Sequence, residues 1–264
     1  VKLRGARVIV TGASQGIGRA IALEFGRRGS RLVLASRNRA ALEELAASIR
    51  AQSGSAVVMP TDVTAAGAVE RLAQDTIRQL GGIDILVNNA GIGMTALIGD
   101  ASSADVEAVF SLNVLAAAAA IRAVVPTMRA QHAGMIINIS SIAGRLVIPR
   151  IGYYSATKFA LTAIGDALRM EEAGRGIKVM NVFPGTTQSN FGENRLGARG
   201  RQAHQRFPPV TAEKVANKIA NAVERNRRSV YISLFPDRAA VAVNWLAGWA
   251  ISAVLRGWAR GAEA

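Results

Sequence analysis

Seven short apolar runs, separated by stretches of helical periodicity, constrain this chain more than any other feature. The runs are Arg7–Val10, Arg31–Ala35, Ser55–Met59, Ile83–Val87, Met135–Ile139, Ile177–Phe183 and Ser229–Leu234. They are rich in Val, Ile and Leu and carry no polar face, so each strand needs cover on both sides. Between them, apolar residues recur at three- and four-residue steps over Arg19–Arg28, Ala40–Gln52, Ala65–Leu80, Ser103–Ala130, Tyr153–Ala173 and Ala212–Arg225. In the second of these, Leu42, Leu45, Ala46 and Ile49 form one stripe. Alternation of this kind predicts a doubly wound α/β fold, with a parallel seven-stranded sheet flanked by helices. The 264 residues suit one domain over 1–264, and no linker divides them. The longest irregular stretch, 186–210, follows the sixth strand and reads as a substrate loop.

Composition excludes several chemistries. The chain has no cysteine, which rules out disulfides, thiolate metal sites and a cysteine nucleophile. His132 and His204 are the only histidines, so no metal centre is expected. Half the residues are hydrophobic, enough for a sizeable core. The net charge of +14 favours anionic ligands, but the basic residues are scattered and form no block, so no nucleic-acid partner is expected. The opening VKLRGARVIVTG runs straight into a strand without a signal-peptide pattern, and the expected location is cytoplasmic.

The stretch Thr11–Gly18, TGASQGIG, joins the first strand to the first helix. Gly12 permits a tight turn, Gly16 lets a pyrophosphate approach the backbone, and Gly18 lets the helix pack on the strand. The spacing is neither G-x-G-x-x-G nor a Walker loop. The second strand ends in Ser36-Arg37-Asn38 with no acid to bind free ribose hydroxyls. Arg37 suits a 2′-phosphate instead, which points to NADP(H) over NAD(H).

Chemistry concentrates in GYYSATKFAL, residues 152–161. Tyr154 and Lys158 are four apart and share a helix face, whereas Tyr153 is turned away from it. A free phenol, with a pKa near 10, is a poor acid or base at neutral pH, and a neighbouring ammonium is expected to lower it. Ser141 follows the fifth strand in INISSIAG, at the edge where such sheets bind ligands, and can polarise a carbonyl. Ser140 is expected to point the other way, as a core hydroxyl.

TGASQGIG, Asp62-Val63, the Asn88–Gly91 segment NNAG, Asn113, Ser141, YSATK and Pro184-Gly185 occur in the order and spacing of the short-chain dehydrogenase/reductase family. The resemblance covers Lys2–Gly185. It implies a Rossmann-type subunit that moves hydride between NAD(P) and an alcohol or carbonyl. By motif position, Tyr154 would be the general acid/base. Lys158 would bind the nicotinamide ribose and tune the tyrosine, Ser141 would hold the substrate oxygen, and Asn113 would position a relay water. Gly12, Gly16 and Gly18 would cradle the pyrophosphate together with Gln15 and Ile17. Ser14 and Arg37 would lie near the adenosine phosphate, and Asp62 and Val63 near adenine. Asn89, Ala90 and Gly91 would lie by the ribose, and Pro184, Gly185 and Thr187 by the nicotinamide.

The family pattern often ends in a Gly-Gly segment after the last strand. This chain departs from it and continues through an apolar tail, 237–260, that starts at Pro236-Asp237 and carries Val241, Trp245 and Trp249 on one stripe. The tail is expected to pack on its own subunit or on a partner in a homodimer or homotetramer. A peripheral membrane contact is the lesser reading. Arg195, Arg199, Arg201 and Arg206 put positive charge in the substrate loop. Ile92, Met94, Leu97, Leu146, Val147 and Ile148 suggest the wall of an apolar pocket and could equally be packing residues. The leading expectation is an NADP(H)-dependent oxidoreductase acting on an apolar ketone or secondary alcohol. A 3-oxoacyl-thioester reductase, using a carrier protein or coenzyme A, is the alternative. A non-catalytic NADP-binding regulator is the rival of another class.

Overall fold

A computed structural model describes residues 1–192, 194–197, 209–233 and 241. The tail, apart from Val241, and Arg199, Arg201 and Arg206 lie outside the described residues. The main elements are β1 (Arg7–Thr11), α1 (Gly16–Arg27), β2 (Arg31–Ser36), α2 (Arg39–Ala51), β3 (Ser55–Pro60), α3 (Ala68–Leu80), β4 (Ile85–Asn88), α4 (Ser103–Phe110), α5 (Ala116–Ala130), β5 (Gly134–Ile139), α6 (Gly152–Glu171), β6 (Ile177–Pro184), α7 (Ala212–Glu224) and β7 (Ser229–Ile232). The strands form one parallel sheet in the order β7-β6-β5-β4-β1-β2-β3. All seven strands therefore end on one edge, and the order reverses between β1 and β4, where such sheets bind ligands.

Burial explains why these segments are strands. In β1, Val8 and Val10 pack with Ile21, Phe25 and Ile219 on one side of the sheet, while Ile9 packs with Leu72, Ile121 and Val124 on the other. Each such side chain contributes about 1.5–3 kcal/mol when fully buried. Local signals end the helices. The Asn38 Oδ1 accepts from Ala41 N at 3.1 Å to cap α2, Ser102 and Thr211 cap α4 and α7 in the same way, and Gly81, at φ +81°, stops α3.

Three departures from the sequence expectation have physical causes. Helix α3 starts at Ala68, because Gly67 takes φ +69° and Ala65–Gly67 form a turn after Asp62. Ile83 and Asp84 lie outside β4, and Asp84 instead holds Arg7 through its backbone N, Nε and Nη2 at 2.6–2.8 Å. The segment Ser103–Ala130 is not one regular α-helix: Ser111–Leu115 forms a π-turn between α4 and α5. By length and composition it could cross a membrane, but half of its most apolar stretch is buried within the fold.

Asparagine side chains tie the middle of the sheet together. Asn88 Nδ2 donates to Asn138 Oδ1 at 3.1 Å, and Asn138 Nδ2 donates to Asn181 Oδ1 at 3.2 Å. These three residues are register partners across β4, β5 and β6 and are buried, so a slipped strand would leave amides unpaired.

Candidate active site

The turn after β1 is built against the turn after β4. Gly12 has φ +64°, and a Cβ there would come 2.9 Å from both Ala90 Cα and Asn89 Nδ2. A Cβ on Gly18 would overlap the Gly12 carbonyl oxygen and Asn89 Nδ2. Gly18 therefore serves helix packing and does not line the cavity. Asn89 Nδ2 donates to the carbonyls of Thr11 and Gly12, both at 3.0 Å. Thr11 Oγ1 accepts from Asn89 N and Ala90 N and donates to Val87 O. Asn89 thus staples the two turns together, a role the motif alone did not specify.

Above this edge lies a cavity of about 880 Å³. Of the sequence-predicted site residues, all but Gly18 and Asn113 line it. Arg37 and Asp62 lie at one end. Asp62 is held below the usual carboxylate range, first by the Thr64 hydroxyl and backbone N–H, with Arg37 adding positive charge. The turn of α1 and the Pro184-Gly185-Thr187 segment flank the middle. Ser141, Tyr154 and Lys158 stand at the other end.

Tyr154 hydrogen-bonds with Ser141, whose Oγ also accepts from Ala143 N at 3.1 Å. Ser140 is turned into the core, where its hydroxyl meets Thr162 Oγ1 at 2.9 Å and donates to Lys158 O. Lys158 is buried, and its Nζ donates to Ile139 O at 2.9 Å and lies 5.7 Å from the Tyr154 ring centroid. Burial pushes the Lys158 ammonium down to about 8. Burial also pushes the Tyr154 phenol up to about 12, against the opposing Ser141 bond. This reverses the expected sign for the tyrosine: the cost of burying the charged phenolate outweighs the hydrogen bond from Ser141 that favours it.

Asn113 sits behind the cavity in the π-turn. Its Oδ1 accepts from Ile92 N at 2.8 Å, and its Nδ2 donates to Ile92 O at 2.9 Å and to Thr157 Oγ1 at 3.0 Å. Both amide hydrogens of the side chain are thus used within the protein. Tyr153 points away from the cavity, and its hydroxyl donates to Ile98 O at 3.3 Å.

The six apolar residues that could form a wall or pack divide between these and other places. Ile148 lines the cavity, but Met94 and Leu146 are core, Leu97 and Val147 are exposed, and Ile92 serves Asn113 through its backbone. Leu112, Ile142, Ile151 and Phe191 supply the wall instead. The Phe191 and Tyr154 rings lie 5.9 Å apart. Sequence reasoning missed Phe191 because it sits in the irregular loop, where no periodicity assigns a face. It also missed Ser36, whose buried hydroxyl lines the Arg37 end without a hydrogen-bond partner among the described residues.

Residues 6–199 match the family model described as short chain dehydrogenase. The chain belongs to that family. It is 35% identical over 255 residues to mouse dehydrogenase/reductase SDR family member 7B, covering 93% of this chain and 78% of the relative. It is 30% identical over 235 residues to ketoacyl reductase HetN of Nostoc sp., covering 89% and 80%. Among solved structures, a short chain dehydrogenase/reductase from Burkholderia phymatum in complex with NAD matches with a TM-score of 0.83 and 27% identity, covering 92% of this chain and 94% of that one.

Membership in the short-chain dehydrogenase family makes this protein an NAD(P)H-type oxidoreductase of small carbonyl or alcohol compounds, on a single-domain Rossmann-type fold. The cavity suits such a cofactor. Gly16, at φ +55°, leaves backbone open to a pyrophosphate across from Ser189, and Ser36 presents an orphaned hydroxyl near Arg37. Among the described residues no cluster of His, Cys, Asp and Glu could hold a metal ion.

Proposed function

We propose that the protein is an NADP(H)-dependent reductase of an apolar ketone, with the reverse oxidation of a secondary alcohol at the same site. One observation carries the reading: Ser141, Tyr154 and Lys158 meet at one end of a cavity whose other end presents Arg37 and, among the described residues, no carboxylate except Asp62, which is already bound by Thr64. Bound there, the nicotinamide supplies hydride. Ser141 and Tyr154 both reach the substrate oxygen. Tyr154, neutral at physiological pH, is charged with the proton that a reduced carbonyl needs, which favours reduction. Lys158, largely cationic below its pKa of about 8, offsets negative charge as the tyrosine gives up that proton. Asn113 holds the Ile92 segment and Thr157 in place behind it.

Arg37 supports NADP(H), because an exposed guanidinium at the end of β2 matches a 2′-phosphate and not a diol. The wall of Leu112, Ile142, Ile148, Ile151 and Phe191 supports an apolar substrate body. The complete Ser141–Tyr154–Lys158 group argues against a non-catalytic regulator. A second reading, reduction of a 3-oxoacyl thioester, draws on the ketoacyl reductase among the relatives and on the positive charge of Arg195 at the cavity. Leu115, Phe159 and Met170 expose apolar surface on the α5–α6 side, which supports a homo-oligomer. Measuring NADPH and NADH oxidation over a panel of ketones and oxoacyl thioesters tests the reading. Reduction of apolar ketones with NADPH is the expected result, and a preference for NADH would overturn the reading of Arg37.

A further inference from the structure

Two arginines among the described residues line the cavity, Arg37 and Arg195, and they lie apart. Arg195 belongs to the Tyr154 end. A Cβ on Gly93 would lie 3.4 Å from Arg195 Cβ and 3.2 Å from Phe191 Cε1, and the Phe191 ring is 5.9 Å from that of Tyr154. Phe191 therefore neighbours both the Tyr154 ring and the start of the Arg195 side chain, and all three line one cavity.

Arg195 is held, but no carboxylate among the described residues neutralises it. Its Nε donates to Gly192 O at 2.9 Å, and its Nη1 donates to Thr95 Oγ1 at 3.4 Å. The backbone beside it pairs with the same segment, Met94 with Leu196 and Thr95 with Gly197. Three other part-buried arginines meet carboxylates: Arg7 meets Asp84 at 2.6 Å, Arg28 meets Glu24 at 2.7 Å, and Arg169 meets Asp166 at 2.7 Å. Among the described residues no carboxylate lies within ion-pair distance of Arg195, and Nη2 has no acceptor. A half-buried guanidinium that no carboxylate among the described residues pairs is favoured by an anion that reaches it.

We propose that Arg195 is a specificity-determining residue that recognises a carboxylate on the substrate, so that the preferred substrate is an apolar oxo acid. This rests on the oxidoreductase reading above. Arg195 and Tyr154 flank Phe191 in the same cavity, so the substrate's anionic group is placed on the same side of the cavity as its reacting carbonyl. The phosphate of a carrier's pantetheine arm lies at the far end of a long chain and does not suit that placement. A guanidinium fork matches a carboxylate in two parallel hydrogen bonds.

Binding and turnover test the inference separately. By calorimetry on the protein saturated with NADP⁺, octanoate is expected to bind about tenfold more tightly than octan-1-ol, the range of one charge-assisted contact. Arg195→Gln should remove most of that advantage, and Arg195→Lys should keep part of it. Thr95→Val, which cuts the Nη1 anchor but keeps the charge, should retain it. In NADPH oxidation, the kcat/KM ratio of 3-oxooctanoate to its methyl ester should fall about tenfold in Arg195→Gln. Equal binding of octanoate and octan-1-ol, or an advantage that survives Arg195→Gln, would overturn the inference. If the ester is reduced and the acid is not preferred, Arg195 is misread and the oxidoreductase reading stands. If neither ketone is reduced while the octanoate advantage depends on Arg195, the anion site stands and the redox reading fails.

Discussion

The ammonium of Lys158 lies over the ring of Tyr154, 5.7 Å from its centroid, while its hydrogen bond goes to Ile139 O at 2.9 Å. Both side chains belong to α6, one turn apart, so the helix itself fixes their relation. Burial then drives the two groups in opposite directions, Lys158 down from 10.5 to about 8 and Tyr154 up from 10.0 to about 12. Both shifts favour the neutral groups, and the site holds its proton on the phenol.

The lysine shift has a consequence for stability. Between its folded pKa near 8 and its unfolded value of 10.5, the unfolded chain binds more protons, so stability rises with pH across that window. The contribution amounts to about 1.5 kcal/mol between pH 8 and pH 9.5. Tyr154 works the other way only above pH 10, where an unfolded phenol begins to ionise. Urea unfolding at pH 8 and pH 9.5 should therefore show the wild type gaining stability relative to Lys158→Met. A constant difference between the two proteins would contradict the shift.

The two adjacent tyrosines should behave differently. Tyr154→Phe removes the proton donor, and kcat for ketone reduction should fall by about 10²–10⁴-fold with cofactor binding retained. Tyr153→Phe removes a hydroxyl that donates to Ile98 O outside the cavity. Its cost should be about 1 kcal/mol of stability or less, with kcat close to wild type. Steady-state kinetics and fluorescence titration with NADPH on both variants check this. Equal losses in the two would mean that the wrong ring has been singled out.

Arg37→Ala should raise KM for NADPH by about ten- to a hundredfold, the value of a charged hydrogen-bonding partner for a phosphate. NADH, which has no 2′-phosphate, should be affected little. The same loss for both cofactors would show that Arg37 acts on the fold of the adenosine end and not on the phosphate.

Gly18→Ala tests the stapled turns. Its Cβ would press on the Gly12 carbonyl oxygen and Asn89 Nδ2, so the glycine turn must move. The expected cost is about 1–3 kcal/mol of stability. NADPH affinity should weaken as well, although Gly18 itself does not line the cavity. Thermal unfolding and NADPH titration together would read this, and wild-type values in both would mean that the turn has slack.

Much of the site was legible because its signals are local. Tyr154 and Lys158 share a helix face by their spacing, Ser141 and Pro184-Gly185 sit where strands end, and TGASQGIG bridges a strand and a helix. Parallel strands bring all those ends to one edge, so the order of motifs along the chain foretold their meeting. Phe191 and Ser36 were not legible, because nothing in a loop or at a strand end says which neighbour a side chain will face. The asparagine ladder of Asn88, Asn138 and Asn181 was equally hidden, since each residue gains meaning only from strands far apart in sequence.

The amino-acid sequence by itself determined the layered α/β architecture, the family, and which tyrosine and lysine share a face. Those depend on periodicity and spacing along the chain. The tertiary structure alone decided the sign of the Tyr154 shift, the engagement of Asn113 with Ile92, and the place of Arg195 in the cavity wall with Phe191. Proton affinity and pairing depend on how much water and which distant groups surround an atom, and a neighbour's number in the chain carries neither.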